Sequence, residues 1–230
     1  MPLSPFKAVF FDVGGTLIRV YPSVGDVYAR HARPFGYSGS VEVLNKGFGA
    51  QWKKMGGIES LRDQSGAEAE RKFWSELVYE VFKPLGGLNR FEEYFDLIFE
   101  EFRDKSNWRV YEDVIESEIL EKLKKRGVVL GVISNWDSRV ISTLENIGLA
   151  RYFDFILPSA VVGSAKPDKK IFEEALRRSG VAPHEACHIG DEMRTDVAGA
   201  EGVGIHPILL DRDNRFDKAD KITSFMELVG

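Results

Sequence analysis

A chain of 230 residues, 43% hydrophobic and 29% charged, has the composition of a globular protein, either one domain with an insertion or two modest domains. A net charge of -5 argues against the basic face that broad nucleic-acid binding needs, and no apolar run reaches the roughly 18 residues of a membrane span. Cys187 is the single cysteine and cannot form an internal disulfide, so a reducing cytoplasm is the expected setting.

The first element is the apolar run Ala8 to Phe11, which stops at Asp12 and gives way to Gly14-Gly15-Thr16. A short apolar run bounded by turn residues predicts a strand buried on both faces. Ligands of open α/β sheets sit beyond the carboxyl ends of such strands, which puts Asp12 where chemistry takes place. Gly14 and Gly15 let the backbone turn sharply and offer N–H groups to an anion.

Residues 18–107 follow a different pattern. Asp26 to Phe35 and Val41 to Trp52 read as helices broken by glycines, and Met55 to Gly66 as a polar loop. Ala67 to Phe82 is a long amphipathic helix with Phe73, Leu77, Val81 and Trp74, Val78, Phe82 at spacings of four. Pro84 and Gly86-Gly87 end it. Phe91 to Phe102 sets Phe91, Phe95, Ile98, Phe99 and Phe102 on one side, an aromatic density that reads as helix-packing core. No strand signal occurs in this block. It is expected to be an all-α cap, residues 18–107, inserted into a core domain of residues 1–17 and 108–230.

From Val110 the chain alternates helix and strand. Helices are expected at Val114 to Lys125, Ser138 to Ile147, Lys169 to Ser179 behind an Asp168 cap, Thr195 to Ala200 and Lys221 to Leu228. Strands are expected at Val128 to Ile133, Phe155 to Leu157, Ala186 to Ile189 and Gly204 to Leu209. Units of this size imply a Rossmann-like α/β core, a parallel sheet between two layers of helices.

Parallel strands bring their carboxyl ends together, so Asp12, Ser134, Lys166 and Asp191 can share one crevice. A carboxylate nucleophile, a hydroxyl, an ammonium and a further carboxylate are what phosphoryl transfer through an aspartyl-phosphate asks for. Asp12 would attack phosphorus, while Thr16, Ser134 and the amides of the glycine turn hold phosphoryl oxygens. Lys166 would offset the negative charge. Asp12 and Asp191 facing a dianion call for a hard cation, and Mg²⁺ prefers oxygen ligands.

Asp12-Val13-Gly14-Gly15-Thr16, Ser134-Asn135, Lys166-Pro167 and Gly190-Asp191 with Asp196 resemble, in order, the four motifs of the haloacid dehalogenase (HAD) hydrolase superfamily. The run Ser134-Asn135-Trp136-Asp137-Ser138-Arg139 is similar to its HDHD3-type branch. The resemblance implies a helical cap and a Mg²⁺-dependent hydrolase acting on a small phosphorylated molecule. It implies Asp12 as nucleophile, Lys166 as its catalytic partner, and Gly15, Thr16, Ser134, Asn135 and Lys166 around the phosphate. Asp12, Asp191, Asp196 and the Gly14 carbonyl would form the metal site. It leaves room for 2-haloacid dehalogenation and for a scaffold kept for binding.

One position departs from the pattern. Phosphatases of the superfamily place an aspartate two residues after the nucleophile to protonate the leaving group, and here that position is Gly14. General acid catalysis contributes roughly 10²–10⁴-fold, so leaving groups that need no proton are expected to be favoured, with water or Glu192 as stand-ins. Substrate choice is expected in the cap, with Arg19, Tyr21 and Trp136 lining the crevice. Cys187 reads as a buried small hydrophobe and His188, shortly before Asp191, as strand core or packing behind the site rather than catalysis, and the basic residues Lys122 to Arg126 suit a helix C-terminus rather than nucleic acid. No membrane partner is expected, and either a monomer or a homodimer fits.

Overall fold

The computed structural model describes residues 3–217 and 221–229. Its strands are β1 (Ala8–Phe11), β2 (Ile18–Val20), β3 (Trp108–Val110), β4 (Val129–Ser134), β5 (Phe155–Pro158), β6 (Ala186–Gly190), β7 (His206–Leu210) and β8 (Lys221–Ile222). Six of them form one sheet in the order β5-β4-β1-β6-β7-β8, and every neighbouring pair is parallel. β1 lies in the middle, with Phe11 opposite Val132 on one side and Ile189 on the other. The chain moves outward from β1 through β4 to β5, then returns to β6 on the opposite flank of β1. Strand order therefore reverses between β1 and β6, which opens a crevice beyond Phe11 and Gly190. The next residues are Asp12 and Asp191.

Alternation along the central strands divides the core into two layers. Val9, Phe11, Val132 and Ile189 pack with Leu120, Leu144 and Phe225 on one face of the sheet. Ala8, Phe10 and Ile133 pack with Ile171, Phe172 and Ala175 on the other. This three-layer α/β/α arrangement is the expected fold class.

Residues 24–101 carry the helices α1 (Val24–Ala32), α2 (Val41–Met55), α3 (Ala67–Phe82) and α4 (Phe91–Glu101). They gather a separate apolar cluster around Val27, Tyr28, Leu44, Leu77, Phe82 and Tyr94. Helices α5 (Glu112–Ser117), α6 (Ile119–Lys125), α7 (Arg139–Asn146), α8 (Ser159–Val162), α9 (Lys169–Ser179) and α10 (Ala198–Glu201) belong to the α/β part. The Asp168 carboxylate caps α9 as expected, accepting from the Lys170 amide at 2.8 Å.

Four expectations need correction. Residues 18–107 are not free of strand: Ile18–Val20 pairs antiparallel with Trp108–Val110, register Arg19 to Arg109. Three residues are too few to show a period, and their partner lies far along the chain. The stretch 55–66 is not irregular but holds two 3₁₀ turns within Ile58–Gln64, separated by a kink at Arg62, where φ is 49°. Val114 to Lys125 belongs to two helices, because Glu118 sits at φ 52° between them. The closing segment is a strand and a 3₁₀ turn, Phe225–Leu228, rather than one helix. Lys221 fixes the strand, its ammonium donating to Asp211 at 2.8 Å and Asn214 at 2.7 Å.

Arg139 joins the two halves. Its Nε and Nη2 donate to the Asp137 carboxylate at 2.8 and 2.6 Å, and Nη1 donates to the Phe99 carbonyl on α4. The guanidinium also lies 3.4 Å from the Phe99 ring centroid. Removing one partner of a buried pair leaves the other uncompensated, at about 3–5 kcal/mol. Arg139→Ala is therefore expected to lose stability of about that size in urea unfolding. A loss below about 1 kcal/mol would show that Asp137 finds water instead.

Candidate active site

The Lys166 ammonium occupies the centre of the crevice, 1% exposed. It donates to Asp12 Oδ1 at 2.7 Å and to Asp196 Oδ1 at 2.5 Å. The Ser134 hydroxyl, at the end of β4, donates to Asp12 Oδ1 at 3.4 Å. Carboxylate oxygens of Asp12, Asp191 and Asp196 all lie within 4.8 Å of one another. Four segments distant in sequence thus converge as the strand-end argument expects.

Each side chain is aimed by its local backbone. Gly15 adopts φ +81°, and a Cβ there would meet Asp191 Oδ2 at 2.5 Å, so glycine allows both the turn and the approach of Asp191. After Asp191 the chain forms a π-helical turn over Met193–Val197, a geometry frequent at functional sites. That turn swings Asp196 back beneath β6, where a Cβ on Gly190 would lie 2.2 Å from its Cγ. The Glu192 amide then donates to Asp196 Oδ2 at 3.1 Å.

Two expected phosphate ligands already make hydrogen bonds within the protein. The Asn135 side chain accepts from the Lys166 amide at 2.7 Å and donates to the Lys166 carbonyl at 2.9 Å, so it positions the lysine. Thr16 is fully buried and its hydroxyl donates to Asp191 Oδ1 at 3.3 Å, so it steadies a carboxylate. Both amino-acid types suit phosphate contacts equally well, and only their surroundings separate the roles. Asp196 fits the metal cluster, yet both of its oxygens already accept hydrogen bonds. Among the proposed cap-facing residues, Arg19 and Trp136 line the cavity. Tyr21 instead lies outside under the Arg109 guanidinium, 4.2 Å from its ring centroid.

Other residues complete the site. His188 Nε2 lies 2.9 Å from Asp196 Oδ1, a role its alternating strand position hides. Arg212 donates to the carbonyls of Gly15 and Thr16 at 2.7 and 2.9 Å and is itself held by Asp113 at 2.9 Å. Arg215 donates to the Asp191 carbonyl at 3.0 Å. Both arginines follow β7 and carry no motif.

Electrostatics follow from burial and crowding. Burial pushes the Asp191 carboxyl up to about 8, and the charges of Asp12 and Asp196 push in the same direction. Burial also raises Asp12, against the pull of Lys166. Asp196 is held well below the usual carboxylate range, because Lys166 and His188 together outweigh burial. Lys166 stays protonated because Asp12 and Asp196 overcome the cost of burying its charge. Burial lowers His188 and favours the neutral ring, which donates from Nε2 to Asp196.

A haloacid dehalogenase-like hydrolase model matches residues 6–204. The chain belongs to the haloacid dehalogenase-like hydrolase family. It is 32% identical to mouse (Mus musculus) haloacid dehalogenase-like hydrolase domain-containing protein 3, over 93% of this chain and 85% of that protein. Among solved structures it is similar to a HAD phosphatase from Thermococcus onnurineus, with TM-score 0.61, 26% identity and coverage of 96% of this chain and 95% of that one. It is also similar to a 2-haloacid dehalogenase from Pseudomonas syringae pv. Tomato DC3000, with TM-score 0.63, 26% identity and 96% of each chain covered. HAD membership and a hydrolase fold are thereby established.

Three carboxyl groups crowd one buried ammonium, with the exposed Arg215 guanidinium 3.6 Å from Asp191, and the donors are hard oxygens. That donor set fits a divalent cation such as Mg²⁺. The raised Asp191 carboxyl has a measurable consequence. The folded state holds its proton more tightly than an unfolded chain, where a carboxyl titrates near about 4. Without cation the fold therefore loses stability as pH rises from about 4 toward about 8. A cation held there would favour the carboxylate form and offset that loss. In thermal unfolding, Mg²⁺ is expected to raise Tm over an EDTA-treated sample more at about pH 8 than at about pH 6. An increment independent of pH would remove Asp191 from the cation site.

Proposed function

We propose that this HAD hydrolase is a Mg²⁺-dependent phosphatase that works through an aspartyl-phosphate on Asp12. The observation that carries this reading is the buried Asp12 carboxylate, 2.7 Å from the Lys166 ammonium and within 4.8 Å of the Asp191 and Asp196 carboxylates. Asp12, Asp191 and the Gly14 carbonyl would hold the cation, with Asp196 completing the cluster. When bound, Mg²⁺ supplies positive charge to the nucleophile and phosphoryl oxygens together.

The chain's own groups supply the remainder. Lys166 keeps one Asp12 oxygen ionised and fixed, which leaves the other to attack phosphorus as the bond to the leaving oxygen breaks. Ser134 turns its hydroxyl from Asp12 to a phosphoryl oxygen, and Lys166 follows the charge as it shifts outward. Water then hydrolyses the aspartyl-phosphate and frees phosphate. No side chain at Gly14 protonates the leaving oxygen, so phosphate bonded to an acidic alcohol, phenol or acid is the natural substrate.

Two variants test this. Asp12→Asn is expected to reduce Mg²⁺-dependent turnover of an aryl phosphate to background, and persisting turnover would dismiss the nucleophile. A Cβ on Gly14 meets only Trp136 at 3.8 Å, so an aspartate fits there. Gly14→Asp is expected to raise kcat/KM for alkyl phosphates on the order of 10²-fold, and for aryl phosphates far less. Equal gains would defeat the leaving-group argument.

Gly14 also favours a second reading, displacement of halide from a 2-haloacid, since halide leaves without a proton. That reaction gives the carboxylate cluster no task. Chloride release from 2-chloropropionate in EDTA would establish it, and absence of release leaves the phosphatase reading.

A further inference from the structure

One cavity of about 980 Å³ runs from Asp12 and Lys166 into the helical block. Its charged groups at the catalytic end are those described above. Helices α2, α3 and α4 contribute Phe48, Trp52, Trp74, Val78 and Phe99 to its lining. Phe48 and Trp52 stack with ring centroids 6.0 Å apart, and Trp52 and Trp74 with theirs 5.6 Å apart, at interplanar angles of 22° and 29°. This makes a row of near-parallel aromatic faces. Trp136 also lines the cavity, where it packs against Trp108 at 4.9 Å and lies 3.8 Å from the place of a Cβ on Gly14. The space beside the nucleophile, where a leaving group departs, is thus faced by an indole.

Most polar side chains along this lining are already engaged, the buried indole N–H of Trp74 being a donor without a partner. Asn45 accepts from the Gly25 amide at 2.7 Å and donates to the Ser23 hydroxyl at 2.8 Å, and Ser23 donates to Asp26 at 2.5 Å. Arg139 is held by Asp137, Arg19 pairs with Glu112 at 3.3 Å, and Glu59 pairs with Arg194 at 2.6 Å. Lys53 is exposed to solvent. A hydroxyl-rich body entering here leaves water and finds few free partners, chiefly the Trp74 N–H and the exposed Lys53 ammonium, which is costly, whereas a flat apolar ring gains from the aromatic surface it covers.

We infer that the substrate is a monophosphate whose body is a planar, largely apolar ring system, seated between the Phe48-Trp52-Trp74 row and Trp136. This rests on the phosphatase reading for its reaction but concerns what the chamber recognises. It differs from the leaving-group argument, which concerns acidity alone and is equally satisfied by a small acyl phosphate.

The test compares 1-naphthyl phosphate, phenyl phosphate, acetyl phosphate and glucose 6-phosphate with the full chain and Mg²⁺. The two phenolic leaving groups are close in acidity, so their difference reads the body. KM for 1-naphthyl phosphate is expected about tenfold below that for phenyl phosphate, with acetyl phosphate higher still despite its good leaving group. Glucose 6-phosphate is expected to fall at least about 100-fold behind in kcat/KM. Trp52→Ala is expected to erase the naphthyl-to-phenyl ratio and Trp52→Phe to preserve most of it. Calorimetric binding of 1-naphthyl and phenyl phosphate to Asp12→Asn separates recognition from turnover. Equal KM values, or glucose 6-phosphate matching the aryl esters, would overturn the assignment and leave the phosphatase intact. Tight, ring-dependent binding without turnover by the unmodified chain would support the chamber and sink the phosphatase. Neither turnover nor preferential binding would overturn both.

Discussion

A single buried ammonium holds the site together. Lys166 is withdrawn from water, which is tolerable only because Asp12 and Asp196 accept from it directly. Those two carboxylates are in turn tolerable only because the lysine stands between them. Neither can be neutralised alone without leaving the other charge stranded in a low-dielectric pocket. Asp191 then adds a third carboxylate whose cationic neighbour, the exposed Arg215, stands 3.6 Å away, and burial together with the charges of Asp12 and Asp196 raises its titration. The result is a crowded set of hard oxygen donors of the kind that suits a divalent cation.

The fold meets this demand through topology. β1 and β6 are neighbours in the sheet but far apart in the chain, and their carboxyl ends flank the point where strand order reverses. Asp12 and Asp191 follow those ends directly, so backbone pairing sets their separation before any side chain acts. Lys166 needs more support, because it leaves a loop rather than a strand, and Asn135 provides it by grasping both backbone groups of the lysine. Arg212 plays a similar part on the glycine turn, where it binds two carbonyls that point away from the sheet.

The sheet and the strand ends at Asp12, Ser134 and Asp191 were legible because each is a local pattern, an apolar run and then a polar residue with turn chemistry; Lys166, expected at a strand end, instead follows α8 in a loop. The parts that were not legible depend on distant partners. Ile18–Val20 becomes a strand only because Trp108–Val110 lies beside it, and Lys221 leaves a helical pattern because Asp211 and Asn214 hold its ammonium. Thr16 and Asn135 carry chemistry suited to phosphate, and their hydrogen bonds to Asp191 and the Lys166 backbone could be read only from the fold. His188 looked like strand core and does pack edge-on against Phe172, yet one ring nitrogen reaches Asp196. Arg212 and Arg215 carried no signal at all, since surface and site arginines look alike until the chain is folded.

Gly14 and Trp136 belong to one argument. In an acid-assisted site the residue two after the nucleophile carries a proton to the leaving oxygen, and the surroundings must keep that acid protonated. Here there is no acid to keep, and an indole faces the same space. Low polarity beside a departing oxygen penalises localised negative charge, so an alkoxide is disfavoured twice, by the missing proton and by the missing solvation. An aryloxide spreads its charge into a ring, and that ring has an aromatic surface to lie against. The same substitution that weakens one class of leaving group therefore suits another, and the aromatic row on α2 and α3 extends that preference from the reacting bond into the body of the ligand.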